Sequence, residues 1–185
     1  MGDFWSVEDG AIAGRKRQAG AVEHLSFHQR KSSGTSGWIF EVKQSMSPKH
    51  STMHSAVAAL GEKIEDGGGN THGFRGPLLM FCHDWGVWDA HRRNRVEPAN
   101  HKGTLNGDWE KKGEWNRIEI LALGDRIRFA ANGKLVFDFT DKPGMLTESP
   151  LGLQLHANRQ PQEFRFRGLI AVKDPKDQMV TVAGE

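Results

Sequence analysis

Short alternations of apolar and polar residues, broken by turn residues, fill the second half of the chain from Gly113 onward. Such alternation is typical of strands, because successive side chains of a strand point to opposite faces of the sheet. The pattern predicts strands over residues 115–123, 126–130, 134–139, 151–156 and 163–172. Asn132-Gly133 lies between two of them and is the dipeptide that most strongly favours a two-residue hairpin turn. We therefore expect a β-hairpin at this point.

The first half of the chain predicts further strands over residues 38–43, 54–64 and 77–82, with a flexible turn at residues 67–70. Residues 51–60 are Ala-rich and form the single helical candidate, but the following Gly61 and the neighbouring strands favour a buried strand. Evenly spaced short strands are typical of a sandwich or a jelly roll. We expect an all-β fold.

The composition bounds the class of protein. A chain of 185 residues is long enough for one domain, so we assign residues 1–185 to a single unit. The net charge of +2 gives no reason to expect nucleic acid or an anionic membrane as a partner. Cys82 is the sole cysteine, which excludes an internal disulfide and a cysteine-rich zinc site. With no apolar run of about 18 residues, we expect no membrane insertion.

Strand parity predicts which side chains pack inside. Over residues 151–156 the leucines, including Leu153 and Leu155, share one face, while Gln154 and His156 share the other. The same parity over residues 163–172 sends the Phe side chains to the core and Arg167 to the opposite face. Residues expected to be buried are Leu153, Leu155, Phe164, Phe166, Ile118, Ile120, Phe137 and Phe139. Gln154, His156 and Arg167 are expected to line one concave face.

Residues 82–89 hold the densest concentration of chemical groups in the chain. His83 could act as a base, and Trp85 or Trp88 could stack against a sugar ring. Asp84, Asp89 and His83 could hold a divalent metal, since carboxylate oxygens and imidazole are suitable ligands. The alternative is a structural turn in which Asp84 caps backbone amides and the Trp rings pack inward.

Five pieces of this sequence together resemble the 3-keto-disaccharide hydrolase family. They are Gly113-Glu114-Trp115-Asn116, the Asn132-Gly133 hairpin, Leu153-Gln154-Leu155-His156, Phe166-Arg167 and residues 5–12, which look like the opening strand of that family. The match covers nearly the whole chain. It implies a concanavalin-like jelly roll, a sandwich of two antiparallel sheets with a concave sugar-binding face.

The resemblance also implies cleavage of glycosides that carry a ketone at C3, and hence an oligosaccharide or glycoside substrate. His156 or His83 would remove the acidified C2 proton, and Arg167 would stabilise the enolate oxygen. Gln154, Trp85, Trp88, His54 and Asp84 would contact the substrate. No cofactor is required, although a divalent metal could replace the arginine as electrophile.

Three other readings remain open at this point. A retaining glycosidase needs two carboxylates about 5 Å apart, and no Glu-x-Asp-x-x-Glu strand supplies them. A non-catalytic carbohydrate-binding module would use the same Trp, Gln and Arg side chains without depending on histidine. A purely structural interaction domain would be favoured by an apolar concave face.

Two segments depart from the family pattern. Residues 77–84 carry Leu79, Met80, Phe81 and Cys82 where family members have polar residues, so we expect altered substrate contacts. Residues 15–37 form a polar, Ser/Gly-rich tract where a strand is expected. Codons permissible for residues 23–31, read one base later, give STYLSTKE, so we hypothesise that this tract is translated out of frame and forms no well-ordered central strand. The alternative is a divergent surface loop.

The resemblance carries an expectation about the start of the chain. Family members are commonly secreted or periplasmic, yet the first residues have neither the basic start nor the apolar stretch of a secretory signal. We therefore expect a sequence that is truncated at its N-terminus. Its cellular location stays open.

Overall fold

The computed structural model describes strands joined by short turns. The described residues are 5–16, 23–27, 35–46, 56–60, 62–63, 74–75, 77–81, 86–89, 94–96, 111, 113–123, 126–140, 151–155, 162–172 and 175. Every strand pair is antiparallel, and these residues include no helix. No helix that could cross a membrane is found in the same part of the chain. The predicted all-β class is confirmed.

Fifteen strands are formed by the described residues. The first eight are β1 (Trp5–Glu8), β2 (Ala11–Lys16), β3 (Glu23–Phe27), β4 (Thr35–Met46), β5 (Ala56–Leu60), β6 (Glu62–Lys63), β7 (Phe74–Arg75) and β8 (Pro77–Phe81). The others are β9 (Gly86–Asp89), β10 (Asn94–Val96), β11 (Asn116–Leu123), β12 (Arg126–Ala131), β13 (Lys134–Thr140), β14 (Leu151–Leu155) and β15 (Gln162–Val172).

These strands form two large sheets and one small one. The seven-stranded sheet has the order β1-β2-β15-β4-β11-β12-β13, and the six-stranded sheet has the order β10-β9-β8-β5-β14-β3. Strands β6 and β7 pair separately. Some neighbours in both large sheets, such as β2 and β15 or β14 and β3, come from distant parts of the sequence, as in a jelly roll. The face-to-face packing of the two sheets stays a prediction.

One face of the seven-stranded sheet carries a continuous aromatic and aliphatic core. Its largest fully buried side chains are Phe40, Phe129, Phe164 and Phe166. Ile118 and Ile120 of this sheet, and Leu153 of the six-stranded sheet, are also completely buried. The strand-parity prediction is therefore confirmed for five of its eight core residues. The side chains of the other three, Leu155, Phe137 and Phe139, lie outside the described set.

Two tight turns have the same left-handed backbone conformation, each with Asn or Asp followed by Gly. Asn132 and Gly133 connect β12 to β13 with φ values of 51° and 78°, the left-handed pair that a type I′ hairpin turn requires. The predicted hairpin is confirmed. Asp9 and Gly10 connect β1 to β2 with φ values of 50° and 72°. Residues 5–12 therefore form parts of two paired strands, which corrects the expectation of one opening strand.

The helical alternative for residues 51–60 falls partly on described residues. Ala56–Leu60 is a strand between β14 and β8, so the sheet environment prevails over the helical propensity of alanine. Within residues 15–37, Glu23–Phe27 forms an edge strand, while Arg15–Lys16 and Thr35–Gly37 belong to interior strands of the seven-stranded sheet. The reading-frame hypothesis itself stays a prediction.

Asn116 ties the segment before β11 to the hairpin turn. Its Oδ1 accepts hydrogen bonds from the Lys111 backbone N–H at 2.7 Å and from Asn132 Nδ2 at 2.8 Å. Its Nδ2 donates to the backbone oxygens of Lys111 and Glu114, both at 3.0 Å. Asn132 Oδ1 in turn accepts from the Arg117 N–H at 2.9 Å. Because Asn116 is only 2% exposed, water cannot replace these bonds.

We expect Asn116→Ala to lower the free energy of unfolding by about 2–3 kcal/mol, because it removes four hydrogen bonds made by a buried side chain. Urea unfolding followed by tryptophan fluorescence measures the change. Glu114→Ala is the matched control, since Glu114 is exposed and contributes through its backbone oxygen. If Asn116→Ala lowered the free energy of unfolding by no more than Glu114→Ala does, the structural role of the Asn116 side chain would be contradicted.

Candidate functional site

Four of the residues predicted for the site lie on described strands. Gln154 belongs to β14, Trp88 and Asp89 belong to β9, and Arg167 belongs to β15. The other predicted site residues, His156, His83, Trp85, Asp84 and His54, lie outside the described residues. The first three positions are in the six-stranded sheet, and Arg167 is in the seven-stranded one.

The register of the six-stranded sheet places Gln154 and Trp88 on one face. Gln154 pairs with Val57, and Val57 pairs with Met80. Trp88 pairs with Leu78, which is two residues from Met80 and therefore has the same parity. The fully buried Leu153 has the opposite parity, while Gly152, which has the parity of Gln154, is buried as well. Gln154 and Trp88 thus occupy positions on the face that Leu153 does not use.

Two rows of four positions cover the middle of this face. The first row runs Gly86, Met80, Val57, Gln154 from β9 to β14, and the second runs Trp88, Leu78, Ala59, Gly152. We call these eight positions the grid. Strand and residue spacings give it dimensions of about 14 Å across the strands and about 7 Å along them. Those dimensions suit a ligand of two or three rings.

Two further polar positions extend the grid at its ends. His24 on β3 pairs with Gln154, and Arg95 on β10 pairs with Trp88. Neither was among the residues predicted from sequence. Predicting His24 would require the long-range pairing of β3 with β14, and no local sequence pattern indicates that pairing. Arg95 could have been found from the short spacing between β9 and β10, which is typical of a hairpin.

Asp89 does not share this face. It pairs with Pro77, one position along from the Leu78–Trp88 pair, and so it has the parity of the core position Leu151. The metal site of Asp84, Asp89 and His83 stays a prediction, because His83 and Asp84 lie outside the described residues. No cluster of metal-ligating side chains is found among the described residues, and His83 and Asp84 are not among them.

Arg167 has a different environment from the one predicted. Its Nε donates to Glu41 Oε2 at 2.7 Å, and its guanidinium lies 4.0 Å from the centre of the Trp115 ring. These contacts join β15 to β4 and to the residue that precedes β11. The prediction that Arg167 shares one face with Gln154 is wrong, because β14 and β15 belong to different sheets. Strand parity alone does not reveal sheet membership.

We expect Arg167→Ala to cost about 1 kcal/mol of stability, the usual value for a partly exposed ion pair combined with a cation–π contact. Sugar turnover should be unchanged, because Arg167 lies in the other sheet. Arg167→Lys, which retains the charge, is the control for the ion pair with Glu41. Steady-state kinetics and thermal unfolding of both variants measure these effects. If Arg167→Ala lost turnover while its stability stayed unchanged, Arg167 would have to be assigned to the functional site.

A second charged cluster joins β1, β2 and β15. Arg15 Nε donates to Glu163 Oε2 at 2.9 Å and Arg15 Nη1 donates to Ser6 Oγ at 3.1 Å, while the same guanidinium also pairs with Glu8. Arg165 Nε lies 3.2 Å from Glu163 Oε1. Both carboxylates are thereby held by arginines, so this cluster stabilises the sheet and keeps its carboxylates ionised.

Hydrogen bonds from arginines lower the pKa values of both carboxyl groups in the cluster, Glu8 and Glu163. Hydrogen bonds from Arg15 and then from Ser6 lower the pKa of Glu8 to about 2. Burial alone would raise the pKa of Glu163, but hydrogen bonds from Arg15 and Arg165 outweigh it, and the net pKa is lowered. Neither carboxyl is therefore suited to donate a proton near neutral pH.

These lowered pKa values predict an acid-sensitive contribution to stability. A carboxyl whose folded pKa is depressed contributes fully above its unfolded pKa and loses the contribution as pH falls through the folded value. We expect the stability difference between the wild type and Arg15→Met to shrink between about pH 4.5 and pH 2. Urea midpoints measured across this range test it. Lys134→Met, on the edge strand β13 of the same sheet and far from the cluster, should keep the wild-type pH profile.

Comparison with known proteins gives one sequence match and many structural ones. A family model described as the 3-keto-alpha-glucoside-1,2-lyase-like domain matches residues 3–169. No curated protein sequence matches the chain. The family match covers the described strands from β1 to most of β15, including both sheets.

Solved structures share the fold at low sequence identity. A proposed glycosyl hydrolase from Parabacteroides distasonis ATCC 8503 has a TM-score of 0.54 and 16% identity, covering 94% of this chain and 84% of its own. The alginate lyase AlgAT5 of polysaccharide lyase family 7 has a TM-score of 0.58 and 14% identity, with coverages of 93% and 83%. The carbohydrate-binding module CBM66 from Bacillus subtilis has the same TM-score and identity, with 91% of both chains covered.

Proposed function

This chain belongs to the family of 3-keto-alpha-glucoside-1,2-lyase-like domains, and on that premise we propose that it cleaves glycosides oxidised at C3 of the sugar. The reaction takes place on the grid face of the six-stranded sheet. The observation that carries the proposal is the register, which puts Gln154 and Trp88 on one face. An amide suits the hydroxyls of a sugar and an indole ring suits its apolar surface; because the two positions lie at opposite corners of the grid, they would contact different parts of one ligand.

The chemistry follows from the ketone. A carbonyl at C3 acidifies the proton on C2, and a base removes that proton to give an enolate. The enolate electrons form the C1–C2 double bond and expel the C1 substituent, which leaves as an alcohol after it gains a proton. Water then adds at C1, a proton returns to C2, and the net result is hydrolysis. No electrons are exchanged with a cofactor in either step.

The base is assigned by position and chemistry. His156 follows Gln154 by two residues, and His83 follows the end of β8 by two residues, so both sequence positions adjoin strands of the grid. Imidazole titrates near neutral pH and can accept a proton and return it in the hydration step. Arg167 has no part in this assignment because it lies in the other sheet. A divalent metal held by Asp84, Asp89 and His83 stays a prediction, and no step of this reaction is derived through it.

The ketone requirement provides the test. The purified chain is expected to release the alcohol from a 3-keto-glucoside and to leave the unoxidised glucoside intact, because the C2 proton of the latter is not acidic. Product release is measured by chromatography in both anomeric series. Equal cleavage of oxidised and unoxidised glucosides would refute the elimination mechanism.

A non-catalytic carbohydrate-binding module is the second candidate. It is favoured by the likeness to CBM66, which extends over 91% of both chains. Retained binding of the 3-keto-glucoside without release of the alcohol would support this candidate. Calorimetric titration alongside the turnover assay separates the two functions.

A further inference from the structure

The turn between β12 and β13 contains a dipeptide that can modify itself. In an Asn-Gly pair the glycine has no side chain to hinder its backbone nitrogen. The Gly133 nitrogen attacks Cγ of Asn132 and gives up its proton, a C–N bond forms, and the side-chain nitrogen leaves as ammonia. Water then opens the succinimide ring at one of its two carbonyls and leaves an aspartyl or an isoaspartyl residue. The reaction consumes only water.

The side chain of Asn132 is held at both of its polar atoms. Its Nδ2 donates to Asn116 Oδ1 at 2.8 Å, and its Oδ1 accepts from the Arg117 N–H at 2.9 Å. The backbone is fixed as well, because the Asn132 N–H donates to the Arg117 carbonyl oxygen at 2.8 Å. Ring closure requires the side chain and the following peptide to rotate until Cγ meets the Gly133 nitrogen. These bonds and the paired strands β12 and β13 oppose that rotation.

We infer that Asn132 is a site of spontaneous deamidation that Asn116 protects in the folded protein, so that the reaction proceeds after the β12–β13 hairpin opens. The inference does not depend on the proposed function. Its rate is set by the fraction of molecules in which the hairpin is open, since local opening precedes the chemistry.

The product of the reaction does not fit the folded hairpin. Deamidation replaces Nδ2 of Asn132 by a carboxylate oxygen, which then faces Asn116 Oδ1. Asn116 cannot turn over to offer its own Nδ2, because it would lose one hydrogen bond from the Lys111 N–H and two to the backbone oxygens of Lys111 and Glu114. The Arg117 N–H retains the other side-chain oxygen in place. Deamidation therefore converts a transient opening into a lasting loss of stability.

The wild-type chain gives the first test. It is incubated at one mildly alkaline pH and one temperature, folded in buffer and unfolded in urea, and conversion is followed by peptide mass spectrometry. Peptide mapping separates Asn132 from the second Asn-Gly pair, Asn106-Gly107. We expect conversion at Asn132 to be slower in the folded sample by at least about tenfold. Equal rates in buffer and in urea would overturn the inference.

The Asp9-Gly10 turn provides a matched control for the role of Asn116. Its φ values of 50° and 72° match those of the Asn132 turn, but the Asp9 side chain is 91% exposed and lies 3.8 Å from Arg165. Asp9→Asn thus places an Asn-Gly pair in the same backbone conformation without the two side-chain hydrogen bonds. It should convert roughly tenfold faster than Asn132 in the same folded sample. If it converts as slowly as Asn132, the turn backbone protects by itself and the role of Asn116 is wrong.

Two further variants test the protection and its consequence. Asn116→Ala should raise the conversion rate at Asn132 roughly tenfold, whereas Phe166→Leu, destabilised in the core with these bonds intact, should convert more slowly than Asn116→Ala. If Asn116→Ala does not fold, the Asp9→Asn comparison still decides. Asn132→Asp carries the product directly and should unfold at a lower urea concentration than the wild type. A wild-type midpoint for this variant would overturn the lasting loss of stability.

Discussion

Replacement of the catalytic base by alanine is expected to lower turnover of a 3-keto-glucoside by about 10²–10⁴-fold. We expect this for His156→Ala or for His83→Ala, whichever imidazole removes the C2 proton. Sugar affinity should change little, because a general base acts mainly in the transition state. Single-turnover kinetics together with calorimetric titration measures the two quantities separately.

The controls for this prediction come from the grid. Gln154→Ala should raise KM more than it lowers kcat, since an amide that binds hydroxyls acts in the ground state and the transition state alike. His24→Ala tests the imidazole that pairs in register with Gln154. If His24→Ala abolished turnover while His156→Ala and His83→Ala had no effect, His24 on β3 would be the base. Wild-type rates in all three variants would refute imidazole catalysis.

The pH dependence of kcat/KM adds an independent check. A neutral imidazole base requires activity to rise with pH through a value near the ordinary histidine pKa of about 6.5. The arginine-held carboxyls Glu8 and Glu163 have lowered pKa values and ionise well below that range. A single inflection near neutral pH is therefore assigned to histidine, and an inflection near pH 4 would point to a carboxyl elsewhere in the chain.

Strand positions and the side chains of the core could be predicted from sequence because both depend on local alternation. The pattern over residues 163–172 fixes the parity of Phe164 and Phe166, and both are fully buried in the structure. The Asn132-Gly133 turn was likewise evident, since its left-handed backbone demands those residue types. Asp9-Gly10 is also a dipeptide typical of a hairpin turn, so the boundary between β1 and β2 could have been predicted from it.

Sheet membership could not be predicted in the same way. Residues 151–155 and 162–172 are close in sequence and have similar alternation, yet β14 and β15 join different sheets. The pairing of a strand depends on contacts with residues far along the chain, and the alternation of one strand contains no information about them. For this reason Arg167 was assigned to the wrong face, and His24 and Arg95 were missed.

The sequence motif around Asn116 has a structural explanation. Asn116 and Asn132 hold the hairpin and the segment before β11 together through side-chain hydrogen bonds. Trp115 lies under Arg167 on the seven-stranded sheet rather than on the grid. The motif residues Trp115, Asn116 and Asn132 therefore have structural roles. The Leu153–Gln154 motif contributes a position to the candidate site.

Phe166→Ala is expected to cause the largest loss of stability among single substitutions of the described core. Its ring is fully buried and lies 6.2 Å from the ring of Trp5 and 6.3 Å from that of Phe40, measured between centroids. On the sheet it pairs with Ile12 on one side and with Val42 on the other. Truncation of a phenylalanine enclosed in this way costs about 3–5 kcal/mol, because it removes buried area and leaves a cavity.

That loss is a large share of the 5–15 kcal/mol, roughly, by which a domain of this size is stable. Phe166→Ala should therefore lose activity together with structure as the temperature rises, whereas His156→Ala should unfold at the wild-type midpoint. Phe166→Leu fills more of the cavity and should recover at least half of the loss. Val7→Ala is the control on the same sheet, because Val7 is 62% exposed and its truncation should cost less than about 0.5 kcal/mol. Denaturant midpoints for the three variants rank these effects, and a cost for Phe166→Ala equal to that of Val7→Ala would place Phe166 outside the core.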